Sequence, residues 1–191
     1  ISFGITGATT NLLGAYQATS TAVTANAFDG AGFTVNGVEV GVSAATSAAG
    51  VTADSATAKA TASNSKTNLT GVSASAASSV QGSAPTARSS LANGALAING
   101  VSIGAISRDA NAVTQGRSAA TAINAVTNQT GVTAVADAST GALSLTTSDG
   151  RNIALTTTAG TAAGATAIFN ATGLDVSVGA NPTGNDTFTL T

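Results

Sequence analysis

Two short segments of the chain share the same order of apolar and polar positions around an Asn-Gly pair. Residues 33–40 read FTVNGVEV and residues 96–103 read LAINGVSI, so apolar side chains alternate on both sides of the pair. Asn and Gly tolerate the positive φ angles of a type I′ turn, so each segment predicts a β-hairpin. Residues 71–74 (GVSA) and 131–134 (GVTA) also match. The offsets of 63 and 60 residues predict two related units.

The residues between these markers predict one helix in each unit. In the second unit, Ser107 and Asp109 are candidate N-caps, because their side-chain oxygens can accept free backbone N–H groups. Four apolar residues follow at i, i+3, i+4 and i+7 on one helical face: Ala119, Ala122, Ile123 and Val126. In the first unit, residues 54–68 have only alanine on their apolar face, which predicts a short, weakly packed helix.

Antiparallel strands are predicted after the helix of the second unit. Three segments alternate, with turn residues between them: 132–135, 143–145 and 153–155, with turns at 139–141 and 148–150. The first unit loses this pattern after Gly71, where a run rich in Ser and Ala leads into residues 82–85 (GSAP). This composition is typical of a linker, so we expect it to join the two units.

The two ends of the chain differ from the middle. Leu174, Val176 and Val178 alternate, and Phe188 and Leu190 follow, so we expect terminal strands that pair with each other and close the base of an inserted domain. The first residue is Ile rather than Met, which suggests a piece of a longer chain. The predicted fold is α+β, strand-dominated and elongated. Its parts are residues 1–30 with 166–191 as base strands, 31–92 as first repeat unit and 93–165 as second.

Composition narrows the function. Only 7% of the 191 residues are charged, against roughly 25% in average soluble domains. The net charge is −2 and the basic residues are scattered, so nucleic-acid binding is not expected. A run of about 18 apolar residues is absent, so no membrane span is predicted. The chain has no Cys, and its neutral surface rich in Ser and Thr points to a place outside the cell.

Candidate chemistry is sparse. Residues 100–104 spell G-x-S-x-G, the pattern of a serine hydrolase elbow, but the chain has no His to act as the general base. The acidic residues are isolated in sequence, and Asp29 and Asp149 precede Gly as in ordinary turns. No catalytic, cofactor-binding or metal-binding residue is predicted. Four N-x-S/T sequons begin at Asn68, Asn128, Asn170 and Asn185, a number expected by chance in this composition.

The second hairpin and the residues after it resemble the "IN" motif of flagellins and hook-associated proteins. The likeness runs through residues 96–104 (LAINGVSIG), 122–124 (AIN), 130–134 (TGVTA), 141–145 (GALSL) and 148–153 (SDGRNI). The first unit keeps residues 35–38 and 70–72 but lacks the AIN and DGR portions. Residues 12–17 (LLGAYQ) also look like the stretch that comes after the N-terminal helices of flagellins.

This resemblance implies the variable, surface-exposed outer domains of a bacterial flagellin, without the conserved helical ends. Such a chain would be a non-enzymatic structural component of the extracellular flagellar filament, secreted, serving motility and forming a surface antigen. It would contact neighbouring flagellin subunits through the missing helical domains, be monomeric as a fragment, and be open to O-linked glycans. The alternatives are a filament cap or hook-associated protein, which shares the motif, and a surface adhesin domain.

Overall fold

The computed structural model describes residues 17–20, 23, 26–87, 89–176 and 187–191, and it confirms an α+β fold. Within these residues there are five helices and ten strands, and every strand pair is antiparallel. The elements are β1 (Ala18–Thr19), β2 (Thr34–Val35), β3 (Val38–Glu39), α1 (Ala56–Asn64), α2 (Thr67–Thr70), β4 (Ala74–Gln81), β5 (Leu96–Ile98), β6 (Val101–Ser102), α3 (Ala112–Asn124), α4 (Thr127–Thr130), β7 (Thr133–Ala136), β8 (Leu143–Thr147), β9 (Leu155–Thr157), α5 (Ala162–Thr172) and β10 (Thr187–Leu190).

Both predicted hairpins form around their Asn-Gly pair. Asn36 and Asn99 each have φ of 50°, and the glycines that follow have φ of 76° and 80°. Positive φ at both central residues is the mark of a type I′ turn. Strands β2 and β3 form a sheet of two, whereas β5 lies between β6 and β9 in a sheet of three.

The two units have the same local geometry, which confirms the predicted repeat. In each unit a longer helix is followed by a single helical turn, α2 or α4, that ends at a left-handed glycine, with φ of 68° at Gly71 and 70° at Gly131. In the second unit the amide of Asn124 bonds to both the N–H and the C=O of Ala134, each at 2.8 Å. Asn64 binds Ala74 in the same way in the first unit, at 2.9 and 2.7 Å. The first unit therefore keeps the Asn of the AIN segment.

The main hydrophobic core belongs to the second unit and to α5. Its large members are fully buried aliphatic side chains: Leu96, Ile98, Ile103, Ile106, Ile123, Leu143, Leu145, Ile153, Leu155, Ile168 and Leu174. In the first unit, Lys59 and Ser63 occupy the positions of Ala119 and Ile123, sixty residues on, and both are buried. The helix predicted in the first unit is present as α1, and most of its buried side chains are alanine.

The interpretation of the segment after Gly71 as a linker is wrong for most of its length. Residues Ala74–Gln81 form β4, the longest strand, at the centre of a five-stranded sheet of order β1-β10-β4-β8-β7. One half of β4 pairs with β10 and the other half with β8. Helix α1 packs against one face of β4, and the run of Ser and Ala supplies the small side chains that this close packing needs. The sheet thus combines strands from both units and both ends.

Three further expectations need correction. The turn at 148–150 does not return the chain to β8, because β9 pairs with β5 in the other sheet. The N-cap of α3 is Asn111, whose Oδ1 accepts the Val113 N–H at 2.7 Å, rather than Ser107 or Asp109. Residues 166–172 belong to α5 rather than to base strands, and residues 173–176 are not a strand although Leu174 and Val176 are buried.

The pairing of the terminal segments is confirmed. Strand β1 lies beside β10, with Ala18 opposite Leu190 and Thr19 opposite Thr189. The predicted apolar positions Leu12, Leu13, Tyr16 and Val178 lie outside the described residues. In the part of the chain that the structure describes, none of the helices combines the length and the apolar character needed to cross a bilayer.

Candidate functional site

Asn99, at the tip of the second hairpin, connects three elements. Its backbone N–H donates to the C=O of Ala154 at 2.8 Å, and its Oδ1 accepts the N–H of the same residue at 2.8 Å. Its Nδ2 donates to the C=O of Thr130 at 3.0 Å. Because Ala154 precedes β9 and Thr130 ends α4, one amide side chain fixes the turn against both. Asn99 therefore has two roles: its backbone adopts the left-handed conformation of the turn, and its side chain links the turn to the end of α4 and to the residue before β9.

Arg151 gathers a second set of bonds next to Asn99. Its guanidinium pairs with the Asp149 carboxylate, with Nη2 to Oδ2 at 2.7 Å and Nε to Oδ1 at 3.1 Å. Its Nη1 donates to the C=O of Ala49 at 3.1 Å and of Thr130 at 3.4 Å. Partial burial would raise the pKa of Asp149, but the hydrogen bonds and charge of Arg151 hold that pKa below its ordinary value. Arg151 therefore joins the two units through backbone carbonyls.

The loop around Gly50 brings the first unit into this site. The C=O of Gly50 accepts the N–H of Asn152 at 2.8 Å, and the Asn152 amide donates to Thr52 Oγ1 at 2.7 Å. Gly50 has φ of 79°, and a Cβ there would lie 2.5 Å from both the Asn152 C=O oxygen and Asn99 Nδ2. Only glycine allows this approach. We call Gly50, Asn99, Asp149, Arg151 and Asn152 the junction.

The residues that the sequence offered as candidates for chemistry lie in turns and on an exposed hairpin strand. Ser102, the serine of the G-x-S-x-G pattern, lies exposed on β6 of the hairpin and not at a strand-to-helix turn, so the pattern is not a nucleophile elbow. Among the described residues, no three acidic side chains form a group that could hold a metal ion. Asp29 and Asp149 accept backbone N–H groups two residues on, at 2.9 and 3.2 Å, which confirms their predicted turn roles.

Three of the four sequons have a structural use that the sequence did not reveal. Each threonine is buried at the end of a helix, and its Oγ1 accepts the N–H two residues on at 3.1 Å: Thr70, Thr130 and Thr172. A left-handed glycine follows every one of them. The recurring Asn-x-Thr-Gly sequence is therefore a helix stop. The third copy, at residues 170–173, was the available signal for α5.

A known family matches the part of the chain that contains most of the hydrophobic core. The matched segment begins just before β5, contains α3, α4, β7 and β8, and stops at Asp149. Residues 95–149 match a family model described as the flagellin hook IN motif. The chain is thus flagellin-like, as the resemblance indicated, and the relationship rests on less than a third of its length. Among curated proteins, none matches the chain.

The bonds of Asn99 explain the structural role of the Asn-Gly pair in the IN motif. The match includes Asn99, Thr130 and Asp149. Arg151 and Asn152 of the junction lie just beyond it, as does Ala154, whose N–H donates to Asn99. The first unit lies outside the matched segment although it has the same hairpin, the same helix stop and the same amide bond to the following strand. Sequence reasoning noted the DGR segment only as part of a likeness and assigned Arg151 no role.

Proposed function

We propose that this chain is the outer, surface-displayed portion of a bacterial flagellin. The observation that carries the proposal is the hook IN motif at residues 95–149, which supports a flagellin-related filament component. In this role the two units coat the filament outside the cell, where they define its surface properties and antigenicity and contribute to motility. The division into two repeat units, residues 31–92 and 93–165, belongs to the same proposal, with the paired strands β1 and β10 at its base.

The geometry supports a module that has to keep its shape under load. Strands from both units share one sheet, and the junction bonds the first unit to the second through main-chain groups. The bond from Arg151 to the Ala49 C=O has a charged donor, whereas those that join Asn152 to Gly50 and Thr52 are between neutral groups. A structural role needs this rigidity, whereas an enzyme would need a reactive group in a cleft.

Neighbouring subunits would associate through helical regions outside residues 1–191, and the fragment itself would be monomeric. The outer edge of β7 supports the second point. There the N–H and C=O of Ala134 are both bonded to the Asn124 amide, which acts as a substitute strand partner. An edge protected in this way is a poor template for another strand. Any glycans would be O-linked to exposed Ser or Thr side chains.

A filament cap or hook-associated protein is the second candidate, favoured because the matching motif is a flagellin hook IN motif. Immunogold electron microscopy of flagellated source cells, with antibodies raised against the purified chain, separates the candidates. The flagellin proposal expects label along the whole filament. Label restricted to the tip or to the hook junction would overturn it in favour of an axial accessory protein, and label on the cell body away from filaments would favour an adhesin.

A further inference from the structure

The chain contains three Asn-Gly pairs, all in turns, and their surroundings differ. They are Asn36-Gly37, Asn93-Gly94 and Asn99-Gly100. An Asn-Gly pair can deamidate when the backbone nitrogen of Gly attacks the side-chain carbon Cγ of Asn. A new N–C bond closes a succinimide ring and ammonia leaves. Water then opens the ring to aspartate or isoaspartate, so the net change is addition of water and loss of ammonia.

Ring closure requires the Asn side chain to rotate towards the following peptide. At Asn99 this rotation breaks the bonds from Nδ2 to the Thr130 C=O and from the Ala154 N–H to Oδ1. Asn99 is also only partly exposed, because the loop at Gly50 lies against it. These bonds and the packing of the junction therefore hold the Asn99 amide away from the attacking nitrogen.

Asn36 occupies the equivalent position in the first unit with far less support. Its side chain is exposed, and within the described residues its amide makes one bond, from Nδ2 to the Thr70 C=O at 2.9 Å. Gly37 and Gly100 are both exposed, and a Cβ on either would meet no atom within 4 Å, so the two pairs differ in how the Asn side chain is held. We propose that Asn36-Gly37 is a site of spontaneous deamidation and that the junction protects its repeat partner, Asn99-Gly100.

Asn93 is exposed like Asn36, but its attacking nitrogen is engaged. The N–H of Gly94 donates to the C=O of Ile103 at 2.9 Å, so the nitrogen cannot reach Cγ without loss of that bond. The three pairs thus provide an internal series. Asn36 reacts before Asn99 because fewer bonds hold its side chain. It reacts before Asn93 because the Gly37 N–H, unlike that of Gly94, has no backbone acceptor among the described residues.

Deamidation at Asn36 would alter the first unit. The product adds one negative charge, so the net charge changes from −2 to −3. An isoaspartate also adds a methylene group to the main chain of a turn whose residue has φ of 50°. The amide that donates to Thr70 is lost as well, which releases the hairpin from the end of α2.

The test is to incubate the purified chain at mildly alkaline pH and to follow each Asn-Gly peptide by mass spectrometry, with enzymatic methylation to report isoaspartate. We expect Asn36 to convert roughly tenfold faster than Asn99, since the latter must break the additional bonds. The N36Q variant should remove the dominant product. Equal or faster conversion of Asn99 in the folded chain would overturn the proposal.

A parallel incubation in concentrated urea provides the control for the role of the fold. The three pairs should then convert at similar rates, because the bonds at Thr130, Ala154 and Ile103 no longer exist. If Asn36 kept the same advantage in urea, local sequence rather than the junction would set the order, and the protective role of the junction would be refuted. Both outcomes are independent of whether the chain coats a filament.

Discussion

Gly71 and Gly131 end the single-turn helices of the two units with nearly the same backbone conformation, but their surroundings differ. A Cβ on Gly71 would meet no atom within 4 Å, whereas one on Gly131 would overlap the Arg151 guanidinium. The left-handed backbone alone therefore explains the glycine in the first unit. In the second unit, the approach of Arg151 to the Thr130 carbonyl demands glycine as well.

This pair yields a matched prediction. Gly71→Ala should destabilise the chain by about 1 kcal/mol, the cost of a left-handed alanine. Gly131→Ala should destabilise it by about 2–3 kcal/mol, because Arg151 also has to move away and lose hydrogen bonds. Urea unfolding of both variants measures the difference, and Arg151→Ala combined with Gly131→Ala should abolish the excess. Equal costs for the two glycines would show that Arg151 does not constrain this position.

At the scale of the element, α1 shows how the first unit diverged. Its N-cap is intact, since Ser55 Oγ accepts the Ala58 N–H at 3.3 Å. In its last turn Ser63 stands where Ile123 fills the core of the second unit. The Ser63 hydroxyl is buried and has no hydrogen-bond partner among the described atoms. A buried polar group without a partner is costly.

Replacement of this hydroxyl should therefore stabilise the chain. Ser63→Ala removes the unsatisfied group and improves helix propensity, which together should add about 1 kcal/mol to the free energy of unfolding. Ser55→Ala serves as the control in the same helix and should subtract about 1 kcal/mol, since it removes the N-cap. Chemical denaturation measures both. A loss of stability in Ser63→Ala would mean that its hydroxyl has an essential partner.

The turn between β7 and β8 depends on the ionised carboxylate of Asp137. Its Oδ1 accepts hydrogen bonds from the backbone and side chain of both Ser139 and Thr140, at 2.7–3.0 Å. The Ser139 and Thr140 hydroxyls and backbone N–H groups lower the pKa of Asp137 well below its ordinary 3.8. A lowered folded-state pKa contributes stability above the unfolded value, and that stability is lost as the pH falls.

The melting temperature should therefore change little between about pH 7 and 5, and fall as the pH drops below about 4. Asp137→Asn keeps the side-chain oxygen but cannot titrate, so its melting temperature should fall less over the same acid range. Asp109, whose pKa is lowered mainly by the Thr114 hydroxyl, and Asp149 should account for the remaining drop. Parallel curves for the two proteins would show that Asp137 does not contribute.

At the scale of the whole molecule, the two units are joined through one sheet. Strand β4, from the first unit, lies between β10 and β8, and β8 belongs to the second unit. The N–H of Thr57, in the first turn of α1, also donates to the C=O of Gly150 at 3.0 Å. Unfolding of the first unit would therefore expose an edge of the second unit and break junction bonds.

We accordingly expect a single cooperative unfolding transition. Calorimetry should show one peak, and hydrogen exchange should give similar free energies of opening for β4 and β8. The Arg151→Gln variant, which removes the ion pair but leaves the sheet, should melt at a lower temperature and still in one step. Two separated peaks in the unaltered chain would show that the repeat units fold independently.

The sequence alone determined the features that depend on interactions between residues close together in the chain. The Asn-Gly turns, the helical spacing ending at Val126 and the repeat offset depend on backbone preferences within a few residues, which act in almost any context. The tertiary structure alone decided the rest. The Ser and Ala run from 74 to 81 is a central strand because β8 and β10 flank it, and β9 joins β5 because Asn99 holds Ala154 beside the hairpin. Residues distant in sequence determine these strand pairings, so the local composition cannot predict them.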